Sequence, residues 1–362
     1  MTFLAILGAL LILSVLFDAF EAMILPRRLT RRLRVTRLVY WSTWPIWSFL
    51  PRRRPPSSFR ENFLSWYGPL SMIFMLAVWA AGLVFGFALL YRTLGAPELS
   101  NGSKAGFWVC LYMSGTTFFT LGFGDIVPHQ AITRGLAVAE AGIGFGFLGA
   151  VIGYLPVIYT AFSKRETHIS MLDGRAGSPP TAAEILARHG RAKALDRIDV
   201  LLANWEIGSA QMLETHVSYP VLIYYRSHHE NQSWVAALTA VADTCALIVA
   251  GIEGIDRWQA QLTFAILRHT MVDLLAVANE VPATGYADRL PKPELDTLRD
   301  YLDAAGVRCC RGPEADEQLR HLRAMYEPYL HALSSHLVLP VTPWSNAGMA
   351  QDNWKSSPYV PS

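Results

Sequence analysis

Charged side chains are scarce in this 362-residue chain, at 17% of all residues, whereas hydrophobic residues make up 52%. So few charges argue against a typical soluble enzyme and favour a membrane protein with a soluble appendage. Residues 66–91 contain no charged side chain, and residues 135–162 contain only Glu140. At about 1.5 Å of rise per residue, each stretch is long enough as a helix to cross the ~30 Å hydrocarbon core of a bilayer.

Cysteine is also rare, and the four cysteines are Cys110, Cys245, Cys309 and Cys310. Their spacing matches neither a metal site nor a disulfide framework, and adjacent cysteines rarely bridge each other. We therefore expect reduced thiols in a chain whose soluble part faces the cytosol. The sequence contains no recognisable catalytic constellation, so we expect no enzymatic activity and no cofactor, and we expect no nucleic acid as a partner.

Acidic residues are absent from an interval that is rich in arginine. Ten arginines lie between Arg27 and Arg60, with no Asp or Glu among them. The positive-inside rule predicts that residues 26–62 form a basic cytoplasmic linker. The apolar residues 1–25 then form an N-terminal transmembrane helix that starts outside, since they lack the basic start and cleavage site of a signal peptide. The predicted protein crosses the plasma membrane several times and has a cytoplasmic C-terminus.

Two features near the inner membrane surface have alternative interpretations. Asp18 and Glu21 share a helix face, and they either pair with nearby arginines, which we favour, or line an ion pathway. The tryptophan-rich residues 38–49 are too short to span the bilayer. They form either an interfacial helix on the inner leaflet or a loop whose aromatic side chains pack on the helix bundle.

The segment TTFFTLGFGD, residues 116–125, lies between the two long apolar stretches. Non-helical backbone at membrane depth is tolerated only where protein buries it or where it lines a water-filled path. A cation in such a path needs oxygen ligands in place of water, and backbone carbonyls supply them if successive peptides face one axis. Gly122 and Gly124 permit the positive φ that this backbone requires, and Thr120 adds its hydroxyl.

This segment resembles a known family. TLGFGD, residues 120–125, is similar to the Thr-Val-Gly-Tyr-Gly-Asp selectivity filter of potassium channels, and residues 63–165 resemble their two-transmembrane pore domain of helix, pore helix, filter and helix. The resemblance implies an all-α membrane protein that forms a homotetramer and conducts K⁺. It implies a filter made of Thr120, Leu121, Gly122, Phe123 and Gly124, with K⁺ ligands at the first four. The side chains of Leu121 and Phe123 should point away from the axis and pack behind the filter.

The resemblance also implies roles for residues outside the filter, and this sequence differs from the family pattern at several positions. It places Asp125 at the outer mouth and Gly144 at the gating hinge of the inner helix. Phe119 replaces a threonine, Phe123 lacks a tyrosine hydroxyl, and Thr116 stands where some bacterial members have glutamate. These differences are expected either to loosen the filter and weaken the preference for K⁺ over Na⁺ or to make the filter prone to inactivation, although the backbone pattern that forms the ligands is intact.

Glu140 is the one acid in the inner helix, and intramembrane acids are functional by default. Its carboxyl either bonds to the back of the pore helix near Thr116 or Thr117, which we favour slightly, or attracts cations into the pore. Thr116 and Glu140 are therefore candidate modulators of the pore.

For the rest of the chain we predict a linker at residues 166–180, a helical cytosolic domain at residues 181–339 and a disordered tail at residues 340–362. Thr181 is a predicted N-cap, and helical spacing follows it to residue 205 and recurs over residues 257–280. Residues 234–252 are apolar enough for a fourth span, but Asp243 and the lack of basic flanks favour a buried helix. Histidines such as His216 are expected to be core or solvated residues rather than metal ligands.

These observations favour a tetrameric potassium channel that is gated by the inner helix and regulated by the cytosolic domain. The alternatives are a weakly selective cation channel and a non-conducting signalling receptor on a channel-like scaffold. The expected partners are three further copies of the chain, the lipid bilayer and a cytosolic ligand or protein of unknown identity.

Overall fold

The structure is a computed structural model that describes residues 2–23, 35–55, 57–95, 105–227 and 232–346. In these ranges the chain is helical and has no β-strand. Five helices among the described residues are long and apolar enough to cross a membrane. The chain is therefore an all-α membrane protein, as its composition and charge distribution predict.

The first half of the chain contains the longest apolar helices, together with shorter ones. Its helices are α1 Thr2–Met23, α2 Val35–Arg52, α3 Ser58–Ser65, α4 Tyr67–Leu94, α5 Phe107–Phe118 and α6 Ala131–Ala176. The predicted apolar stretches correspond to α1, α4 and α6. The tryptophan-rich residues lie in α2, so the helical interpretation of that segment is confirmed and the loop is wrong.

The second half of the chain contains the remaining α-helices of the described residues. They are α7 Ala182–Arg191, α8 Ile198–Ser218, α9 Trp234–Gly251, α10 Trp258–Ala278, α11 Lys292–Ala304, α12 Pro313–Ala324 and α13 Glu327–Leu337. The Thr181 hydroxyl accepts the Glu184 backbone N–H at 3.3 Å, which confirms the predicted N-cap. The single helical pattern after Thr181 contains two helices, because the chain leaves the helical conformation at Lys193, whose φ is 51°.

Contacts divide the chain into two compact units, and the first comprises Met1–Trp47 and Pro69–Tyr159. Within it α1 packs closely on α4, since a Cβ added to Gly8 would lie 2.8 Å from the carbonyl oxygen of Gly86. Such a contact excludes larger residues, so small side chains permit the helices to approach.

Asp18 joins three helices of the first unit. Its Oδ2 accepts a hydrogen bond from Trp79 Nε1 in α4 at 2.9 Å and from Thr36 Oγ1 in α2 at 2.7 Å. The side chain is buried. These bonds give Asp18 a structural role, whereas its predicted pairing with residues 27–34 lies outside the described residues.

The second unit comprises Ser48–Gly68 and Thr160–Ser362, and α9 forms its centre. Every residue of α9 is buried, and α7, α8, α10, α12 and α13 all contact it. Its acid, Asp243, accepts a hydrogen bond from Arg289 Nη2 at 2.7 Å and another from the Tyr326 hydroxyl. A buried acid needs such partners. The structure thus agrees with a buried helix in a helical unit rather than a fourth span.

Three predicted domain boundaries need correction. The linker at 166–180 is wrong for most of its length, because α6 continues to Ala176 and buries Ile169 and Leu172 in the second unit. The disordered tail does not start at residue 340, since Trp344 is buried and its carbonyl oxygen accepts the Ala183 N–H at 3.1 Å. The basic linker at 26–62 is divided, because its residues from Ser48 onward belong to the second unit.

Candidate ion pathway

The pore helix α5 ends directly before the predicted filter and holds its first residues through backbone hydrogen bonds. The carbonyl oxygen of Thr116 accepts the N–H groups of Leu121 at 2.8 Å and Gly122 at 3.2 Å. The carbonyl oxygen of Thr117 accepts the N–H of Thr120 at 3.1 Å. The last turn of α5 therefore fixes where the filter segment starts, since these carbonyls would otherwise lack partners at the helix end.

The filter backbone alternates in handedness. Thr120, Gly122 and Gly124 have φ values of 57°, 55° and 76°, whereas the intervening Leu121 and Phe123 do not have positive φ. Positive φ costs little for glycine and is uncommon for other residues. A Cβ added to Gly122 or Gly124 would meet nothing within 4 Å, so the backbone conformation, and not space, requires glycine at these positions.

The filter segment is uncovered in the single chain. Leu121 and Phe123 are 56% and 67% exposed, and Phe119 beside them is 59% exposed. Neither Leu121 nor Phe123 is covered within its own chain, so their predicted packing behind the filter would have to come from neighbouring copies. Large apolar side chains at membrane depth need a cover of lipid or protein.

The residue that follows the predicted filter is tied to α5 by a side-chain bond that the sequence did not indicate. The Tyr112 hydroxyl in α5 donates to Asp125 Oδ2 at 2.9 Å. Arg134 Nε donates to the carbonyl oxygen of Pro128 at 3.1 Å and holds the turn that leads into α6. Both ends of the filter segment are thus attached to neighbouring structure.

Glu140 lies at the junction of three helices. Its Oε1 lies 2.5 Å from Ser114 Oγ in α5, and its Oε2 accepts a hydrogen bond from the Tyr91 hydroxyl in α4 at 2.7 Å. Ser114 Oγ also lies 2.8 Å from the carbonyl oxygen of Val84 in α4. Glu140 is fully buried in the single chain. It does contact the pore helix, but through Ser114 rather than Thr116 or Thr117.

Thr116 contributes to the site through its backbone. Its hydroxyl donates to the carbonyl oxygen of Met113 within α5 at 2.9 Å, and its own carbonyl oxygen holds Leu121 and Gly122. The proton of this hydroxyl is therefore used within α5.

Gly144 is the point where α6 approaches the end of α5. A Cβ added there would lie 2.0 Å from the carbonyl oxygen of Phe118, whereas one added to Gly142 or Gly146 would meet nothing within 4 Å. α6 runs through Gly144 without interruption. The predicted hinge position is thus also a position of close packing behind the filter.

Comparison with known proteins places this site in a family. Residues 73–160 match the model of a family described as "Ion channel". These residues contain the pore helix, the filter segment and most of both flanking helices. The predicted two-transmembrane pore-loop ion channel module is therefore confirmed for this part of the chain.

Three bacterial proteins show similarity to the chain. It is 27% identical over 253 residues, which are 68% of this chain and 72% of the relative, to the uncharacterized membrane protein YdjJ of Bacillus subtilis. It is 31% identical over 86 residues to protein LctB of Geobacillus stearothermophilus and 30% identical over 86 residues to LctB of Bacillus caldotenax. Those two matches cover 21% of this chain and 63% of each LctB protein. No solved structure matches the chain significantly.

Proposed function

We propose that this chain forms a homotetrameric, potassium-selective channel that conducts K⁺ passively across the plasma membrane. The observation that carries the proposal is the filter backbone, in which positive φ recurs at Thr120, Gly122 and Gly124 directly after a pore helix. Alternating backbone handedness turns successive carbonyls toward one side, which is the arrangement that replaces the hydration shell of K⁺. The K⁺ ligands would be Thr120 to Phe123, and Asp125 would lie at the outer mouth.

Four copies are proposed because one chain supplies one filter segment. The filter and much of α6 are exposed in the single chain, including Val138, Phe145 and Ile152. A tetramer would cover one face of α6 with its neighbours and leave another to lipid. The inner helix α6 is the proposed gate, and Gly144 its proposed hinge.

A weakly selective cation channel is the second candidate, and one feature favours it. Phe123 has no hydroxyl with which to bond to surrounding side chains, and its ring is exposed. A filter held less firmly would discriminate K⁺ from Na⁺ less well, because selectivity depends on the number and placement of the coordinating carbonyls.

Ion flux in liposomes tests the proposal. With purified protein and a K⁺ gradient against Na⁺, the reversal potential should follow K⁺, and Gly122→Ala should abolish selectivity or conduction because alanine resists the required φ. Gly142→Ala is the matched control, since its methyl group would meet nothing within 4 Å in the single chain and lies outside the filter segment. Equal permeability to both ions would support the weakly selective channel. Absence of flux from tetrameric protein would support the non-conducting receptor.

The second unit is proposed to be a cytosolic regulator without enzymatic activity. Its helices fold around α9, and every residue of α9 is buried. A ligand or protein partner would bias opening through a difference in affinity between two arrangements of this unit.

The outer surface of α2, with Leu38, Trp41 and Phe49 exposed, is the proposed contact with the inner leaflet, where tryptophan is favoured.

A further inference from the structure

One short segment of the second unit contacts both chain segments that adjoin the predicted membrane helices. We name residues 220–226 the coupling segment. It starts with the 3₁₀ turn Pro220–Tyr224 after α8 and ends at Arg226. Val221, Leu222, Ile223 and Tyr224 are all buried. The segment lies outside the ion pathway, and no motif in the sequence indicates a function for it.

The coupling segment binds the end of the inner helix through Arg165. Arg165 Nη1 donates to the carbonyl oxygen of Leu222 at 3.1 Å, and Nη2 donates to that of Tyr225 at 2.8 Å. Arg165 is 3% exposed, and its charge is paired with Glu166, whose Oε1 lies 3.1 Å from Nη2. A buried guanidinium is stable only when it is paired and hydrogen-bonded, and the coupling segment supplies two of its acceptors.

His216 of α8 completes the surroundings of Arg165. Its Nε2 lies 3.2 Å from Arg165 Nη1, and its Nδ1 lies 2.8 Å from the carbonyl oxygen of Met212. Burial, and after it the charge of Arg165, lowers the pKa of His216 well below its ordinary value. The neutral ring can therefore donate from Nδ1 to Met212 and accept from Arg165 at Nε2.

The same segment contacts the start of α4 and the short helix α3 before it. The rings of Tyr224 and Tyr67 meet edge to face with their centroids 5.1 Å apart. Arg226 Nη1 lies 2.9 Å from Glu61 Oε2 in α3. Arg226 Nη2 also donates to the carbonyl oxygen of Leu337 at the end of α13.

The Tyr225 ring lies between the two helices. A Cβ added to Gly68 in the first turn of α4 would lie 2.7 Å from Tyr225 Cδ2. The Tyr225 ring centroid also lies 5.5 Å from that of Phe162 in α6. Tyr225 thus contacts a residue at the start of α4 and a residue near the end of the apolar part of α6. A displacement of either helix end would move this ring.

We infer that the coupling segment is a mechanical link that transmits movement between the second unit and the ends of both pore-flanking helices. This inference rests on the proposed channel function and adds the part of the protein through which regulation acts. A rearrangement of α8 or α13 would shift the segment and with it the end of α6 and the start of α4. Breaking the link should change how often the pore opens without changing which ions pass.

A steric pair of variants tests the link through Tyr225. Gly68→Ala should displace the Tyr225 ring and shift the open probability, by about 5-fold or more if the link has the strength of ordinary allosteric coupling. Tyr225→Ala removes the ring, so Gly68→Ala added to Tyr225→Ala should have no further effect. Gly174→Ala is the control, because it adds a methyl group to α6 in open space. An equal effect of Gly68→Ala with and without Tyr225 would overturn the inference.

Hydrogen exchange tests the link without any measurement of current. Arg165→Ala should raise exchange both in the coupling segment and at residues 58–68, which Arg165 does not touch, whereas Arg175→Ala should not, since Arg175 is exposed and bonds within α6. Exchange that rises only around residue 165 would overturn the inference. If the unmutated protein conducts no ions, the channel proposal fails, but this exchange result still decides whether the segment couples the two helix ends.

Discussion

At the residue scale, the filter segment was accessible from sequence and its supports were not. Gly122 and Gly124 could be recognised because positive φ leaves a direct trace in residue type. The hydrogen bond from Tyr112 to Asp125 could not be predicted in this way, because it depends on the path of the chain after α5. Thr120 shares the positive φ of the glycines although its side chain gives no sign of it.

Gly144 has two proposed roles, close packing against Phe118 and bending of α6, and two measurements on one variant can separate them. A methyl group at this position would collide with the carbonyl of Phe118, which lies two residues before Thr120. We therefore expect Gly144→Ala to disturb the end of the pore helix and change ion preference or prevent conduction, in addition to any loss of bending. Reversal potentials under mixed K⁺ and Na⁺ gradients measure the first effect, and single-channel open probability measures the second.

The control for Gly144 is its neighbour on the same helix. Gly146→Ala adds the same methyl group where nothing lies within 4 Å. Its helix propensity gain of about 1 kcal/mol is the same, so it reports the cost of a stiffer helix alone. If Gly144→Ala lowered open probability and left ion preference unchanged, the hinge would be the main role of this residue.

At the element scale, the sequence predicted helices well where composition alone determines them. α9 could be assigned as buried because Asp243 does not suit a lipid-facing span, and its partner Arg289 follows only from the fold. The break between α7 and α8 was missed because Ala192, Lys193 and Ala194 are all compatible with a helix. The contact of Gly190 with the carbonyl oxygen of Ala305, 2.4 Å from an added Cβ, shows that tertiary packing governs this part of the chain.

Glu140 connects three elements, and its bonds predict which substitutes will work. Glu140→Ala would leave the buried Tyr91 hydroxyl without this partner, at about 1–3 kcal/mol, whereas Ser114 would keep the carbonyl oxygen of Val84. Glu140→Gln keeps an acceptor for Tyr91 and offers an amide N–H to Ser114, so we expect it to retain the folded pore. Thermal unfolding of the detergent-solubilised protein measures the difference.

The two interpretations of Glu140 differ in a second measurement. If its role is to hold α4, α5 and α6 together, Glu140→Gln should leave single-channel conductance unchanged. A charge that attracts cations into the pore would instead lower conductance when it is neutralised, with a larger effect at low ionic strength. Equal stability of Glu140→Ala and the unmutated protein would contradict the structural role.

At the scale of the whole molecule, the domain boundaries predicted from sequence separated residues that are close in space. The pore module was recognised because its elements are consecutive and end at clear changes in polarity. The second unit joins Ser48–Gly68 to residues beyond Thr160, and this grouping depends on contacts such as that of Arg226 with Glu61. No local pattern records a partner that lies more than one hundred residues away, so the coupling segment was not foreseen.

The orientation of the chain in the membrane is a further prediction at this scale. The arginine-rich interval before α3 places the start of α1 outside and the second unit in the cytosol. Cys309 and Cys310 are partly exposed, whereas Cys110 and Cys245 are buried, so the chain already contains a probe for the second unit. On intact cells an impermeant maleimide should leave these thiols unlabelled, and it should label them once the membrane is permeabilised.

The opposite end needs an introduced probe. Thr2 is exposed in α1, and Thr2→Cys in a Cys309→Ser and Cys310→Ser background should label on intact cells, with the background alone as the control. If Thr2→Cys labelled only after permeabilisation, α1 would not cross the membrane in the predicted direction.

Labelling of the native Cys309 and Cys310 from outside would mean that a further helix spans the bilayer, and the apolar α9 would be the first to consider. That outcome conflicts with the bonds from Arg289 and Tyr326 that Asp243 accepts within a folded unit. The predicted pattern, outside for Thr2 and inside for Cys309 and Cys310, requires an odd number of spans between them, as α1, α4 and α6 provide.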